Sequence, residues 1–169
     1  MSGSKAPVLE LTLKQFLEKT NQERPEITGG CVLLTNASLT SGVILMALKI
    51  SLKKTKDTSD RHFLKLKVKA LSIIQQRLAE AAEHDLQVFD QYRKLLRSKA
   101  KNRQEQMNVA LQKATDSLLE VCKVLSQALR YTEACKKYTN VSVLSDLNAG
   151  HLILTAVFDA LIALAEGNI

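Results

Sequence analysis

The sequence predicts an all-α fold: an antiparallel helical bundle with long helices, forming a homodimer. Three observations predict it. Only two prolines (Pro7, Pro25) and six glycines interrupt the 169 residues, too little punctuation for a sandwich or barrel of many short strands. Hydrophobic residues make up 46% of the chain and charged residues 24%, a mixture that buries a core and does not stay disordered. Apolar residues also recur at helical spacing over two long stretches. The length corresponds to one domain over 1–169,.

A short first helix is expected over Leu11, Leu13, Phe16 and Leu17. It stops near Asn21, because Arg24 precedes Pro25 and a residue before proline is driven out of helical geometry,. After a turn at Gly29-Gly30, a second helix runs from Cys31 to about Leu52. Ile27–Leu48 carries no charge over 22 residues, long enough to cross a bilayer,. Thr28, Thr35, Asn36, Ser38, Thr40 and Ser41 make one side of it polar, so it is read as a helix buried in the core or at a subunit interface. Thr58, Ser59 and Asp60 are N-cap residue types for a third helix. Phe63, Leu66, Ala70, Ile74, Leu78, Ala81, Asp85, Phe89, Tyr92 and Leu96 carry it forward. A fourth spans about Gln104 to Lys137 through Met107, Leu111, Ala114, Leu118, Val121, Leu125 and Ala128, and a fifth runs from Ser145-Asp146 to Ala165. These helices leave no room for a sheet. The uncharged second helix needs cover around most of its circumference, which dimerisation supplies.

Lysine and arginine number 24 against 17 aspartates and glutamates, a net charge of +7. The basic residues gather in 49–56, 65–69 and 93–103 and are read as solvated helix faces. Without stacking aromatics, a helix-turn-helix or a zinc pattern, no nucleic-acid partner is expected. The three cysteines, Cys31, Cys122 and Cys135, are odd in number and show no C-x-x-C spacing. They read as reduced core thiols of a cytoplasmic protein. The opening MSGSKAPVLE has neither an apolar signal core nor a lipidation motif, so no export and no membrane partner are expected,.

Catalysis needs groups held in unusual protonation states, and a carboxylate on an apolar helix stripe is one source. Asp85 fits, four residues after Ala81 and four before Phe89, while Glu80 and Glu83 turn toward solvent,. The competing reading is an ion pair with a buried cation. Asp146, beside Ser145, reads most simply as an acid favoured by a helix N-terminus. His62, His84 and His151 show no ligand spacing, so no metal is expected. Cys31 stands at a helix start where amides and the dipole lower a thiol pKa, although the same geometry binds anions without it and a buried inert thiol is simpler. No G-x-x-x-x-G-K-[ST], G-x-G-x-x-G or G-x-S-x-G pattern occurs, which disfavours NTPase, dinucleotide and α/β-hydrolase chemistry.

In order along the chain, five segments resemble the cyclodeaminase/cyclohydrolase family. That family includes the C-terminal domain of formiminotransferase-cyclodeaminase and the methenyltetrahydrofolate cyclohydrolases. FLEKT (16–20) is similar to its opening helix and ITGGC (27–31) to its PGGGS. EHDLQVF (83–89) is similar to its D-x-D-A-x-A-F, ALQKATDSLLEVCKV (110–124) to its A-L-x-x-A-x-x-x-P-L, and TNVSVLSDL (139–147) to its G-N-x-x-x-x-S-D. The resemblance implies an all-helical dimer working on the one-carbon bridge between N5 and N10 of a tetrahydrofolate derivative, its substrate. Two reactions are known for it: closure of formiminotetrahydrofolate with loss of ammonia, and hydrolysis of methenyltetrahydrofolate. By this resemblance Asp85 is the catalytic acid/base. Gly29, Gly30, Cys31, Lys53, Lys54, Asp146 and Asn168 are the substrate-binding positions, and the lysine surplus suits a glutamate tail.

The chain departs from the family pattern at several places. Ile27 stands for its proline, Thr28 for a glycine and Cys31 for its serine. Leu52-Lys53-Lys54 replaces an aromatic-glycine-basic element. Leu118 replaces the proline of P-L, and Leu164 the first asparagine of N-V-x-x-N, whose second is Asn168. The sequence stops at Ile169, where members usually carry a further helix. Two functions therefore stand open: a folate cyclodeaminase or cyclohydrolase, and a catalytically degenerate family member acting as a binding or scaffold protein.

Overall fold

A computed structural model describes residues 7–167. It contains five helices, α1 (Leu13–Thr20), α2 (Gly29–Lys54), α3 (Thr58–Leu96), α4 (Arg103–Cys135) and α5 (Leu144–Glu166), with three short 3-10 turns and no strand among the described residues. α2 packs on α3 and α5, and α4 packs on the same two helices, so four helices close a ring in chain order. α1 buries no residue of its own and lies outside that ring, with Phe16 touching the core.

Why the ring closes is visible in the spacing of the buried side chains. Leu34, Ser41 and Leu48 on α2, Leu64, Leu71 and Leu78 on α3, Leu118, Leu125 and Thr132 on α4, and Leu147, Leu154 and Leu161 on α5 are all buried. Each set steps by seven residues, the repeat that keeps one seam facing its neighbours in a near-antiparallel bundle. Most polar side chains of α2 lie within the bundle, in keeping with the reading of this segment as a buried helix. Ser38, Thr40 and Ser41 are buried. Ser41 donates to the carbonyl of Ala37 at 2.8 Å. Ser38 and the side chain of Gln75 exchange hydrogen bonds with each other's backbone carbonyls at 3.2 Å, tying α2 to α3. Short side chains whose hydroxyls bond inside the helix let neighbours approach closely without an unsatisfied polar group. Gly150 of α5 shows how closely: a Cβ there would lie 2.5 Å from Cγ1 of Ile44.

Element boundaries differ from expectation where a cap decides them. Asp57, not Thr58, Ser59 or Asp60, caps α3, accepting from the Asp60 amide at 2.8 Å. The other three fall in the first turn, where only the preceding residue has the extended backbone that a cap requires,. α4 ends at Cys135 and tightens into the turn Lys136–Tyr138, and α5 begins at Leu144 after the turn Val141–Val143. The Asn140 amide, in the link between α4 and α5, donates to Ser51 Oγ of α2 at 2.8 Å, which fixes this end of the bundle.

Both α2 and the segment Val141–Glu166 are long and apolar enough to cross a membrane. Their heptad positions are buried in this bundle, while Leu39, Val43 and Met46 on α2 and Leu152 and Ile153 on α5 remain exposed. All three cysteines are free and buried.

Gly150→Ala should lower unfolding stability by about 1–3 kcal/mol through overpacking. A double-mutant cycle in urea with Ile44→Ala should return a favourable coupling, because the smaller side chain vacates the clash; additive effects would refute a direct Gly150–Ile44 contact.

Candidate functional site

The seven-residue repeat of α3 continues past Leu78 to Asp85. A carboxylate thus takes the next core position, where the packing of the other turns would place a leucine. The opposing surface is the N-terminus of α2. Thr28 is its N-cap, with extended backbone (φ −81°, ψ 161°), and its Oγ1 accepts from the Cys31 amide at 3.0 Å. The same hydroxyl donates to Asp85 Oδ2. Gly30 faces the carboxylate so closely that a Cβ would stand 2.6 Å from Oδ1. Glycine is required at this position for the approach, not for an unusual backbone angle, since no described glycine has positive φ.

Burial pushes the Asp85 carboxyl above the usual aspartate range. The Thr28 hydrogen bond, the Cys31 amide and the neighbouring His84 each pull it back only in part,. Burial also pushes the Cys31 thiol up to about 12, with Asp85 and Glu83 adding to the rise. Cys31 is therefore not the activated thiol its helix-start position permits; its amide faces the site and its sulfur lies in the core,.

A cavity of about 530 Å³ opens beside the carboxylate, within the size range of small-molecule sites. Thr28, Gly29 and Gly30 form one wall, and Asp85, Val88, Phe89 and Tyr92 of α3 another. Ala110, Leu111, Ala114 and Leu118 of α4 make the third, with Leu164 and Gly167 at the end of α5. Small side chains at 110 and 114 leave the space that Asp85 opens into. Phe89 and Tyr92 follow Asp85 on the same helical stripe.

Of the residues singled out in the sequence, Asp85, Gly29 and Gly30 come together at this cavity. Lys53, Lys54 and Asp146 do not. Twenty-three residues of continuous α2 separate Gly30 from Lys53, about 34 Å at 1.5 Å per residue. Lys54 instead reaches Ser142 Oγ at 3.0 Å and Asn140 Oδ1 at 3.3 Å at the far end. Asp146 lies in the first turn of α5 at that same end. One protomer thus does not hold all the expected binding residues in one site, because a straight helix keeps its two ends apart. Asn168 lies outside the described residues. Leu164 borders the cavity, whereas Leu52 sits with Lys53 at the other end.

Thr28, which the family resemblance treats only as a lost glycine, is brought against the carboxylate; the signal for it was its N-cap residue type three positions before Cys31,. His84, next to Asp85 in sequence, does not line the cavity; its Nδ1 lies 3.3 Å from Ser117 Oγ on α4. Among the described residues no group of three or more His, Cys, Asp or Glu side chains is arranged to hold a metal ion.

The profile of the formiminotransferase-cyclodeaminase family matches residues 12–169. The chain belongs to that family. Its fold is shared with a crystal structure of formiminotetrahydrofolate cyclodeaminase from Thermotoga maritima, at a TM-score of 0.85 and 20% identity, over 95% of this chain and 79% of the other. No curated protein sequence matches the chain. The all-helical ring is therefore the family's fold, and the Asp85 cavity is a feature of this family member.

Because its folded pKa is raised, the Asp85 carboxyl binds its proton more tightly in the native than in the unfolded chain,. Its contribution is complete below the unfolded value of about 3.9 and is lost as pH rises through the folded value. Asp85→Asn should therefore melt a few degrees above the wild type at neutral pH, and the gap should close as the pH is lowered toward 4. Equal melting temperatures at pH 7 would contradict the burial argument.

Proposed function

We propose that the protein is a folate one-carbon enzyme that closes formiminotetrahydrofolate with loss of ammonia or hydrolyses methenyltetrahydrofolate, with Asp85 as its acid/base. The observation that carries this reading is the half-buried Asp85 carboxyl at the mouth of a 530 Å³ cavity. Both reactions pass through a tetrahedral carbon and move a proton on nitrogen or water. A carboxyl whose pKa is raised by burial keeps more of its acid form near neutral pH, as proton donation to a departing nitrogen demands,. The aromatic rings of Phe89 and Tyr92 offer flat apolar surface to a pterin ring,. Membership of the formiminotransferase-cyclodeaminase family supports the same substrate class.

The working unit in this reading is a homodimer, cytoplasmic and composed of single-domain chains. Leu39, Val43, Met46, Leu152 and Ile153 leave an apolar strip on α2 and α5 that a second copy covers,. An antiparallel second copy also resolves the separation of the expected binding residues, since it brings the Lys53–Lys54 end of one chain toward the Asp85 end of the other. That end is strongly basic: 49–69 and 130–146 hold 11 lysines and arginines against 4 acids, a surplus equal to the whole chain's +7. A glutamate tail on the substrate suits such a surface.

A second reading is a family member that keeps the fold and binds without turning substrate over. It is favoured by the cavity walls, where Thr28, Asp85 and Tyr92 are the only polar side chains among the described residues. The loss of methenyltetrahydrofolate absorbance separates the two. The enzyme reading expects turnover above the buffer rate, reduced at least about a hundredfold in Asp85→Asn. No turnover, with a folate-induced rise in melting temperature, leaves the binding reading; no turnover and no rise leaves neither. For the dimer, Leu39→Lys with Leu152→Glu should convert a two-chain mass into a one-chain mass in light scattering, and an unchanged mass would place the interface elsewhere.

A further inference from the structure

We propose that Thr28 is the positioning residue of the site: its hydroxyl holds Oδ2 of Asp85, so that the carboxyl takes and gives its proton through Oδ1. This rests on the acid/base reading of Asp85 and adds which of its oxygens works.

A threonine hydroxyl carries one proton and accepts through two lone pairs. Here one lone pair takes the Cys31 amide at 3.0 Å. The proton has one acceptor in the structure, Asp85 Oδ2. Cys31 N–H, Thr28 Oγ1 and Asp85 Oδ2 thus form a directed chain in which the helix N-terminus polarises the hydroxyl toward the carboxylate. Reversing it, with a proton on Oδ2 donated to Thr28, would leave the hydroxyl proton without a protein acceptor among the described residues. Oδ2 is therefore held as an acceptor, and Oδ1 is left for proton exchange. Gly30 completes the arrangement, because any Cβ there would press on Oδ1. Without the hydroxyl only the Cys31 amide holds the carboxyl, and the reacting oxygen loses part of its fixed direction,.

The titratable groups near the carboxyl are Cys31 on α2 and Glu83 and His84 on α3, with Tyr92 on the cavity wall. The α4 and α5 side chains lining the cavity are apolar. Removing a donor to the charged form therefore changes the Asp85 titration, with His84 as the neighbouring group that favours the carboxylate.

The test compares the full chain with Thr28→Val, Thr28→Ser and Thr28→Gly. Glycine is tolerated at N-caps and removes the hydroxyl without new bulk, so it serves where valine fails to fold. With methenyltetrahydrofolate, Thr28→Val and Thr28→Gly should lose about ten- to a hundredfold in kcat, while KM stays within about threefold. The limb of their pH profiles that Asp85 sets should move to higher pH, because a hydrogen bond favouring the carboxylate is gone. Thr28→Ser should restore both. A serine variant as impaired as valine, a loss confined to KM, or unaltered profiles would overturn the assignment. A carboxyl-carbon NMR titration of Asp85 reads the same contact without turnover: its midpoint should rise in Thr28→Gly and return in Thr28→Ser. If the wild type proves inactive, the enzyme reading fails on that result alone, and an unmoved NMR midpoint separately overturns the role of Thr28.

Discussion

A carboxylate placed on a core position must be satisfied by something, and the rest of this site follows from how that is done. Asp85 continues the stripe of Leu64, Leu71 and Leu78 into the bundle interior, where an isolated charge is costly. No cation meets it. The end of α2 does, through the Thr28 hydroxyl and the Cys31 amide. Neutral donors at a helix N-terminus stabilise a carboxylate less than an arginine would, so the group stays above the usual aspartate range and keeps a proton available. An ion pair, the simplest alternative for an aspartate on an apolar stripe, would have pulled its pKa the other way.

The bundle positions this contact by rigidity. The four long helices share a heptad seam, and α2 carries short hydroxyl side chains that bond to its own backbone or to Gln75 of α3. Gly150 brings α5 against Ile44. Close, unyielding packing along the middle of the bundle then sets where the first turn of α2 lies relative to α3. The cavity appears at the end of the seam, where Ala110 and Ala114 replace larger side chains beside the carboxyl. Space and charge are thus two consequences of breaking one repeat at one end.

The two ends of the protomer differ in chemistry. One has an apolar cavity with a single carboxyl, and the other holds the entire positive surplus of the chain, knitted together by Lys54, Ser142, Asn140 and Ser51. The spacing between them is the length of α2, which no side-chain motion spans. The cavity and the basic end are thus separate surfaces of one protomer.

Sequence alone determined the helical class, the five elements in order and the place of Asp85 on an apolar stripe, because periodicity is a local property and a lone acid on such a stripe is visible in it. The family resemblance was legible in the same way, from short segments in fixed order. Caps were legible only as residue types, and which of Asp57, Thr58, Ser59 and Asp60 closed α3 depended on backbone angles. What Thr28 does was not legible at all: as a letter it is a missing glycine, and only the packing of α2 across α3 turns it into Asp85's partner. Cys31 went the other way, from a thiol at a helix start to an inert core atom, once burial was known. The separation of Lys53, Lys54 and Asp146 from Asp85 likewise belongs to tertiary structure, since spacing along a motif carries no distance until a rigid helix fixes one.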